Sequence, residues 1–173
     1  MTKDPMRVKA GKKSKRKGSS QELKLVKLFQ SWWGKGEWAR SPGSGGWGRP
    51  QNREGFRAAG DVITTAKDFP WCIEAKHVEG WTLDQLLLNE GCIIHSWWQQ
   101  AVEETPESLR TILVFKKNRQ QEMVMVLSSD PATILVKCRK FETTDYGGRL
   151  VTLFPLKALT AVEPEKLGIL YEK

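Results

Sequence analysis

The stretch that decides the fold is GDVITTAKDFPWCIEAKH, residues 60–77. Two apolar runs, DVITT and PWCIEAKHV (the latter extending to Val78), predict two β-strands joined by the turn residues AKDF. Asp61, Glu74 and Lys76 are charged, yet they lie in or beside segments that otherwise resemble buried strand. A buried charge is costly unless it is paired or bound to a metal ion. The stretch therefore predicts a functional site as well as a pair of strands.

Side chains alternate across a strand, so Glu74 and Lys76 are expected on one face and Ala75 on the other. If the two strands are neighbours, Asp61 approaches Glu74, and two such carboxylates repel each other unless a cation lies between them. Two carboxylates, the Ala75 carbonyl and waters would suit Mg²⁺, with Mn²⁺ as a substitute. Lys76 would then orient a water or stabilise charge on a phosphate, which indicates phosphodiester hydrolysis.

The alternative for the same residues is an Asp and a Glu/Lys ion pair on an exposed strand face. An Asp followed within about twenty residues by Glu-x-Lys is common by chance. The apolar neighbours Val62, Ile63, Trp71, Cys72 and Ile73 favour the half-buried site.

The charge of the chain is concentrated at its start. Of a formal charge of +8 over 173 residues, residues 1–20 carry +7, from eight Lys or Arg side chains and one acid, Asp4. This predicts a basic, flexible DNA-binding arm, residues 1–18, ahead of a single nuclease domain, residues 19–173. The alternative is a solubilising tail.

Three widely spaced cysteines form neither a disulfide framework nor a zinc pattern. With no signal peptide and no run of membrane-spanning length, we expect a cytoplasmic location.

The rest of the chain alternates helical and strand patterns. Leu25, Leu28, Phe29 and Trp32 recur at helical spacing after a cap at Ser19 or Ser20. A short strand is expected over 37–40, then a polar loop with Arg49, Arg53 and Arg57, which we expect to contact DNA. A second helical stretch spans TLDQLLLNEGCIIHSWWQQAVEE, bent near Gly91. Strands are expected at TILVFKK, EMVMVLS, ATILVKC and LVTLFPL. The pattern predicts an α/β or α+β protein with helices packed on one mixed sheet.

Other polar and aromatic residues are weaker candidates. The pairs Trp32–Trp33 and Trp97–Trp98 are expected to be core more often than stacking platforms for bases. His77 and His95 are considered as general bases, with ordinary structural roles favoured. Gln99 is considered as a polar support that faces the site.

Four segments in order, KRKGSSQELKLVKLF, RSPGSGG, GDVI and IEAK, resemble the archaeal-type Holliday-junction resolvases, whose relatives occur in phages and which belong to the PD-(D/E)xK nuclease superfamily. The resemblance covers about residues 15–127. It implies a restriction-endonuclease-like α/β core, a central mixed β-sheet flanked by helices. The chain departs from the family pattern in three places: Leu23 stands where Arg often follows the helix glutamate, the segment between Ser44 and Asp61 is longer, and Gly60 replaces the Pro before Asp61.

The resemblance also implies roles for individual residues. Asp61 and Glu74 match the metal carboxylates and Lys76 the catalytic lysine, while Glu22 matches an acid that helps position metal or water. Ser44 matches a serine that acts near the scissile phosphate. Arg16, Lys17 and Arg40 fall where the family places basic residues on DNA. For Glu22 and Ser44 the residues alone favour a helix N-terminal charge and a turn residue.

The function expected from these observations is Mg²⁺-dependent resolution of four-way DNA junctions, with roles in recombination and repair, by paired cuts that leave 5′-phosphate ends. Paired cuts suit a twofold homodimer, and LLLNEGCIIHSWW is the segment expected at its interface. Two alternatives stay open: a restriction-like or branch-nonspecific nuclease, and a non-catalytic basic DNA-binding protein.

Overall fold

One seven-stranded mixed sheet organises the chain, and helices cover both of its faces. The computed structural model describes residues 5–41, 55–57, 59–88 and 92–171, with side-chain surroundings for all of these except 5–17, 87–88 and 168–171. Along the chain the elements are α1 (Pro5–Trp33), β1 (Trp38–Arg40), β2 (Val62–Thr64), β3 (Trp71–His77), α2 (Leu83–Leu88), α3 (Ile93–Glu104), β4 (Arg110–Lys116), β5 (Met123–Leu127), α4 (Ala132–Leu135), β6 (Phe141–Thr144), β7 (Leu150–Pro155), α5 (Leu156–Leu159) and α6 (Pro164–Tyr171).

The strand order is β1-β2-β3-β4-β5-β7-β6, and among these pairs β3 and β4 run parallel while the others are antiparallel. A parallel pair needs a long crossover, which α2 and α3 supply between β3 and β4. The predicted α/β class with a central mixed sheet flanked by helices is confirmed, as are the predicted strands near 37–40, 61–65, 70–78, 111–117, 122–128 and 150–156.

The sheet around β3 and β4 has a core on each side, because side chains alternate between the two faces of a strand. Ile73 joins Ile112, Val114 and Phe29 in a cluster beneath α1. On the opposite face, Leu113 and Phe115 of β4 pack with Trp98 of α3. The charged residues of β3 therefore emerge from a sheet that is buried on both sides.

Two elements differ from the sequence prediction. Helix α1 begins at Pro5 and not at Ser19 or Ser20, because the Lys- and Arg-rich lead-in consists mostly of good helix formers and Pro5 is compatible with a first turn. The segment ATILVKC was predicted to be a strand, but Ala132–Leu135 is a short helix. There Asp130 Oδ1 accepts from the Ala132 N–H over 2.9 Å and so caps the turn.

The predicted dimer segment contributes mainly to the monomer core. Among its apolar side chains that the structure describes, Leu86, Cys92, Ile94, Trp97 and Trp98 are buried. Ile93 alone of that described set is exposed, at 43%. The described part of LLLNEGCIIHSWW is therefore not the exposed apolar surface that was expected, because amphipathic α3 turns its apolar face onto the sheet.

The tryptophans have structural roles of the same kind. Trp33, Trp38 and Trp71 pack around Phe69 with ring centroids 4.8–5.4 Å apart. Trp98 Nε1 donates to Asp145 Oδ2 over 2.9 Å. Both predicted tryptophan pairs therefore lie in or against the core.

In the described part of the chain, no helix combines the length and apolar character needed to cross a bilayer.

Candidate active site

The first element of the site is a close approach between the residue before Asp61 and strand β3. Gly60 has φ +76°, and a Cβ built there would lie 2.4 Å from the Ile73 carbonyl oxygen. The next N–H, that of Asp61, donates to the same carbonyl over 2.7 Å. Only glycine fits this position, which accounts for the departure from Pro in this chain.

This approach places the Asp61 side chain against β3. Asp61 Oδ2 accepts a hydrogen bond from the Ala75 N–H over 2.9 Å. Strand β2 pairs with β3 at Val62 and Ile73. Asp61 lies directly before β2, and its carboxylate accepts from an N–H farther along β3.

Glu74 and Lys76 share one face of β3, as predicted. Their side chains form an ion pair, with Glu74 Oε1 2.7 Å from Lys76 Nζ, and the Glu74 side chain is only 8% exposed. The alternative of an exposed Glu/Lys pair is therefore wrong for this chain. Lys76 Nζ also donates to Gln100 Oε1 on α3 over 3.2 Å.

The carboxyl groups of Asp61 and Glu74 influence each other electrostatically. Burial raises the pKa of both groups, and the charge of Asp61 raises the pKa of Glu74 further. For Asp61 the hydrogen bond from Ala75 and the charge of Lys76 oppose this rise in pKa. Two desolvated acids, one of which disfavours the ionisation of the other, form an arrangement that a divalent cation would relieve.

Glu22 and Arg40 border this pair from α1 and β1. Arg40 Nε lies 3.4 Å from Glu22 Oε2. Burial raises the pKa of Glu22, Asp61 raises it further, and Arg40 lowers it. Glu22 is thus within electrostatic range of Asp61, although its direct partner is Arg40.

The donor chemistry fits a hard divalent cation. Asp61 and Glu74 would hold it, the Ala75 carbonyl would be a third oxygen ligand, and Glu22 would assist from α1. Among the described residues, however, no three His, Cys, Asp or Glu side chains are grouped closely enough to form a metal site by themselves. The protein would therefore rely on backbone and water oxygens beside the two carboxylates.

Helix α3 contributes two residues that the sequence analysis missed. Gln100 Nε2 donates to Glu104 Oε1 over 2.9 Å while Gln100 Oε1 accepts from Lys76. The charge of Glu104 raises the pKa of both Asp61 and Glu74, after burial as the main cause. The signal available in the sequence was the Gln-x-x-x-Glu spacing, which puts both side chains on one helical face.

The prediction for Gln99 is wrong by one position. Its amide donates to Glu103 Oε1 over 3.0 Å, on another side of α3. Residues one apart on a helix do not share a face, so only Gln100 reaches Lys76.

Neither histidine contacts the reactive groups of this site. His77 Nε2 lies 3.0 Å from Asn118 Oδ1. His95 is 1% exposed, its ring lies 4.7 Å from that of Tyr146, and burial lowers its pKa. The structural roles favoured for both residues agree with these contacts.

The predicted DNA-contacting residues fall into three groups. Arg57 donates from Nη2 to the carbonyls of Ala66 and Phe69, at 2.7 and 2.6 Å, so its guanidinium supports the β2–β3 turn. The prediction that Arg57 is a loop cation on DNA conflicts with these half-buried contacts. Arg40 borders the site through Glu22. Arg49 and Arg53 lie outside the described residues, as does Ser44, which was predicted to be catalytic, and Arg16 and Lys17 lie in α1 with side chains that are not described.

A mixed sheet with an Asp directly before one strand, Glu-x-Lys on the next strand and electrostatic coupling between the two carboxylates is typical of the PD-(D/E)xK nucleases. A family model described as "Phage putative PDDEXK endonuclease" matches residues 13–167. The chain therefore belongs to this phage PDDEXK endonuclease family.

Similarity to known proteins extends to a phage relative. The chain is 29% identical over 123 residues to Protein D14 of Escherichia phage T5, covering 68% of this chain and 73% of that protein. No solved structure matches significantly.

Proposed function

We propose that this endonuclease-family protein hydrolyses DNA phosphodiester bonds at four-way junctions in a Mg²⁺-dependent reaction. The observation that carries the hydrolytic part is the convergence of Asp61, Glu74 and Lys76 at the start of β2 and on β3. The preference for junctions is supported by the resemblance in the order of RKG, RSPGSGG, GDVI and IEAK.

The residues would divide the reaction among them. When bound by Asp61, Glu74 and the Ala75 carbonyl, the ion would supply positive charge against the attacked phosphate and make water more acidic. Lys76 would hold the attacking water by hydrogen bonding. The water oxygen would bond to phosphorus as the bond from phosphorus to the 3′ oxygen breaks. The water would lose a proton and the 3′ oxygen would gain one, leaving 5′-phosphate and 3′-hydroxyl ends. Ser44 would support the phosphate, as the resemblance implies.

Gln100 would hold Lys76 during this reaction. Glu74 serves at once as the ion-pair partner of Lys76 and as the proposed ligand. With Glu74 engaged by a cation, the ion pair would weaken and Gln100 would remain as a partner of Lys76. Glu104 keeps the Gln100 amide oriented with its oxygen toward Lys76.

A homodimer is part of the proposal because a junction has near-twofold symmetry and resolution needs two matched cuts. The basic lead-in of α1 would attract the phosphate backbone. The second candidate, a restriction-like or branch-nonspecific endonuclease, uses the same site and is compatible with the family.

One experiment tests the proposal and separates its parts. A Mg²⁺ titration of cleavage is run side by side on a synthetic four-way junction, a linear duplex and a flap. We expect nicking only with Mg²⁺ or Mn²⁺, and preferentially on the junction. Equal cleavage of all three would favour the second candidate, and metal-independent binding without nicking would favour a non-catalytic DNA-binding protein.

Two variants link the cleavage to the site. Asp61→Asn and Glu74→Gln are expected to bind the junction but not to nick it. Nicking at the wild-type rate by either variant would contradict the assignment of these carboxylates.

A further inference from the structure

We propose that the turn between β4 and β5, residues 117–121, is a second DNA-backbone contact and that Arg119 is its phosphate ligand. This inference rests on the proposed function. It concerns where the DNA is held and does not alter the chemistry of the site.

The turn lies at the same end of the sheet as the candidate active site. Strands β3 and β4 are parallel, with Lys76 opposite Phe115 and His77 opposite Lys116. The turn therefore begins two residues beyond the level of Lys76. At about 3.3 Å per residue, Arg119 stands roughly 10 Å farther along the strand axis, a span of about three nucleotides at 3.4 Å axial rise per nucleotide of one strand.

The turn is anchored to the chain that directly follows Lys76. The Val78 N–H donates to the Lys116 carbonyl over 3.3 Å, and the Asn118 N–H donates to Glu79 Oε1 over 3.0 Å. His77 and Asn118 interact through their side chains over 3.0 Å. These contacts hold the turn in a constant position relative to the site.

The cations of this region differ in how much of their charge is compensated. Lys116 lies 3.0 Å from Glu122, which also pairs with Lys24 at 2.7 Å, so those charges serve the fold. Lys117 packs its ammonium 4.7 Å from the centre of the Trp81 ring. Its charge also reaches Asp84.

Arg119 is different because it is exposed and forms no ion pair with the residues that the structure describes. It also has φ +60°, the left-handed conformation that costs a non-glycine residue about 1–2 kcal/mol. Glycine would satisfy the turn at lower cost, so the turn by itself does not call for an arginine. A guanidinium at a constant offset from a hydrolytic site suits a phosphate, which it can bind through two parallel hydrogen bonds.

The test separates the charge of Arg119 from its conformation. Arg119→Gly removes the cation and relieves the backbone, so the fold is not at risk. Arg119→Lys keeps the cation. Both are compared in an Asp61→Asn background without divalent metal, by fluorescence anisotropy with a labelled four-way junction and a labelled linear duplex across a salt series.

Lys67→Ala is the matched control, because Lys67 is an exposed cation in the β2–β3 turn at the opposite end of the sheet. We expect Arg119→Gly to weaken binding about tenfold, as loss of one charged hydrogen-bonding contact would. The slope of log affinity against log salt should fall by about one. Arg119→Lys keeps the charge but not the paired hydrogen bonds, so it should keep the parent's salt slope and lose less affinity than Arg119→Gly. The control should bind nearly as the parent does.

Unchanged affinity and slope for Arg119→Gly would overturn the inference, and so would an equal loss for Lys67→Ala. In both cases the parent still binds and the proposed function stands. If the parent protein binds neither DNA, the proposed function itself fails.

Discussion

Gln100 donates its amide N–H to Glu104 Oε1 over 2.9 Å, and this bond determines which end of the Gln100 amide faces Lys76. A carboxylate only accepts hydrogen bonds, so the Gln100 nitrogen must face Glu104 and its oxygen must face Lys76 Nζ, 3.2 Å away. A residue outside the Asp and Glu-x-Lys pattern thereby positions the lysine of that pattern.

We predict that Gln100→Ala lowers the turnover number for junction nicking about tenfold with a smaller change in KM. The reason is that Lys76 loses its second partner, and a hydrogen bond to a charged group contributes about 1.5–3 kcal/mol. Single-turnover nicking at saturating junction measures the effect. Gln99→Ala, one position along the same helix, is the control and should cleave at the parent rate. A parent-like rate for Gln100→Ala would show that Lys76 does not need this support.

We predict that Asp61→Asn raises the melting temperature of the metal-free protein at neutral pH. The substitution removes one of two buried like charges but keeps an oxygen to accept from Ala75. Each kcal/mol added to the free energy of unfolding raises the melting temperature by about 2–4 °C for a domain of this size. Added Mg²⁺ should stabilise the parent and leave the variant unchanged. A lower melting temperature for the variant would mean that the fold needs the ionised Asp61.

The same pair predicts a pH dependence. Because the folded-state pKa values of Asp61 and Glu74 are raised, the folded protein binds these protons more tightly than the unfolded chain does. The contribution of this pair to the stability of the metal-free protein should therefore rise as pH falls from neutral, through the folded-state pKa values, toward the lower pKa values of the unfolded chain. Glu122 has its pKa lowered to about 2 by Lys24 and Lys116, against the opposing effect of burial. The stability that Glu122 contributes is therefore lost as pH falls. The parent is therefore compared with Asp61→Asn at each pH by denaturant unfolding, and their difference should shrink as pH falls. A difference that stays constant with pH would contradict the raised pKa values.

We predict that Gly60→Ala destabilises the protein by more than about 2 kcal/mol. The added Cβ would lie 2.4 Å from the Ile73 oxygen at a positive φ, so strain and steric overlap add. Gly80→Ala is the matched control, since Gly80 also has a positive φ, +85°, but no atom lies within 4 Å of the point that an alanine Cβ would occupy. The control should cost about 1–2 kcal/mol. Urea unfolding measures both, and equal losses would show that the contact with Ile73 relaxes freely.

We predict that Cys138 reacts with a thiol reagent before either of the other cysteines in the native protein. Cys72 and Cys92 are buried, and burial raises the pKa of the Cys72 thiol to about 11, so little thiolate forms there. Mass spectrometry of protein alkylated briefly under mildly alkaline conditions reads the order of labelling. Early modification of Cys72 would indicate that β3 opens easily.

The sequence predicted the fold most successfully where the pattern is local. Strand β3 was recognisable because a turn is followed by a short apolar run that ends in Glu-x-Lys. Side chains alternate along any strand, so Glu74 and Lys76 lie on the same face independently of the tertiary packing. The segment ATILVKC shows the limit, because a β-branched run is a helix here. Its local capping by Asp130 and its packing outweighed the β propensity of the residues.

By itself, the sequence determined the class of sheet, the basic start of the chain and the three residues of the central pattern, because these depend on composition and on spacing along one strand. Only the tertiary structure decided the remaining contacts. The close approach of Gly60 to β3 places the Asp61 carboxylate against that strand. Gln100, and not Gln99, contacts Lys76, and Arg57 supports a turn. Each of these is a contact between different segments of the chain. The direction in which one side chain points across such a contact depends on packing that no local pattern records.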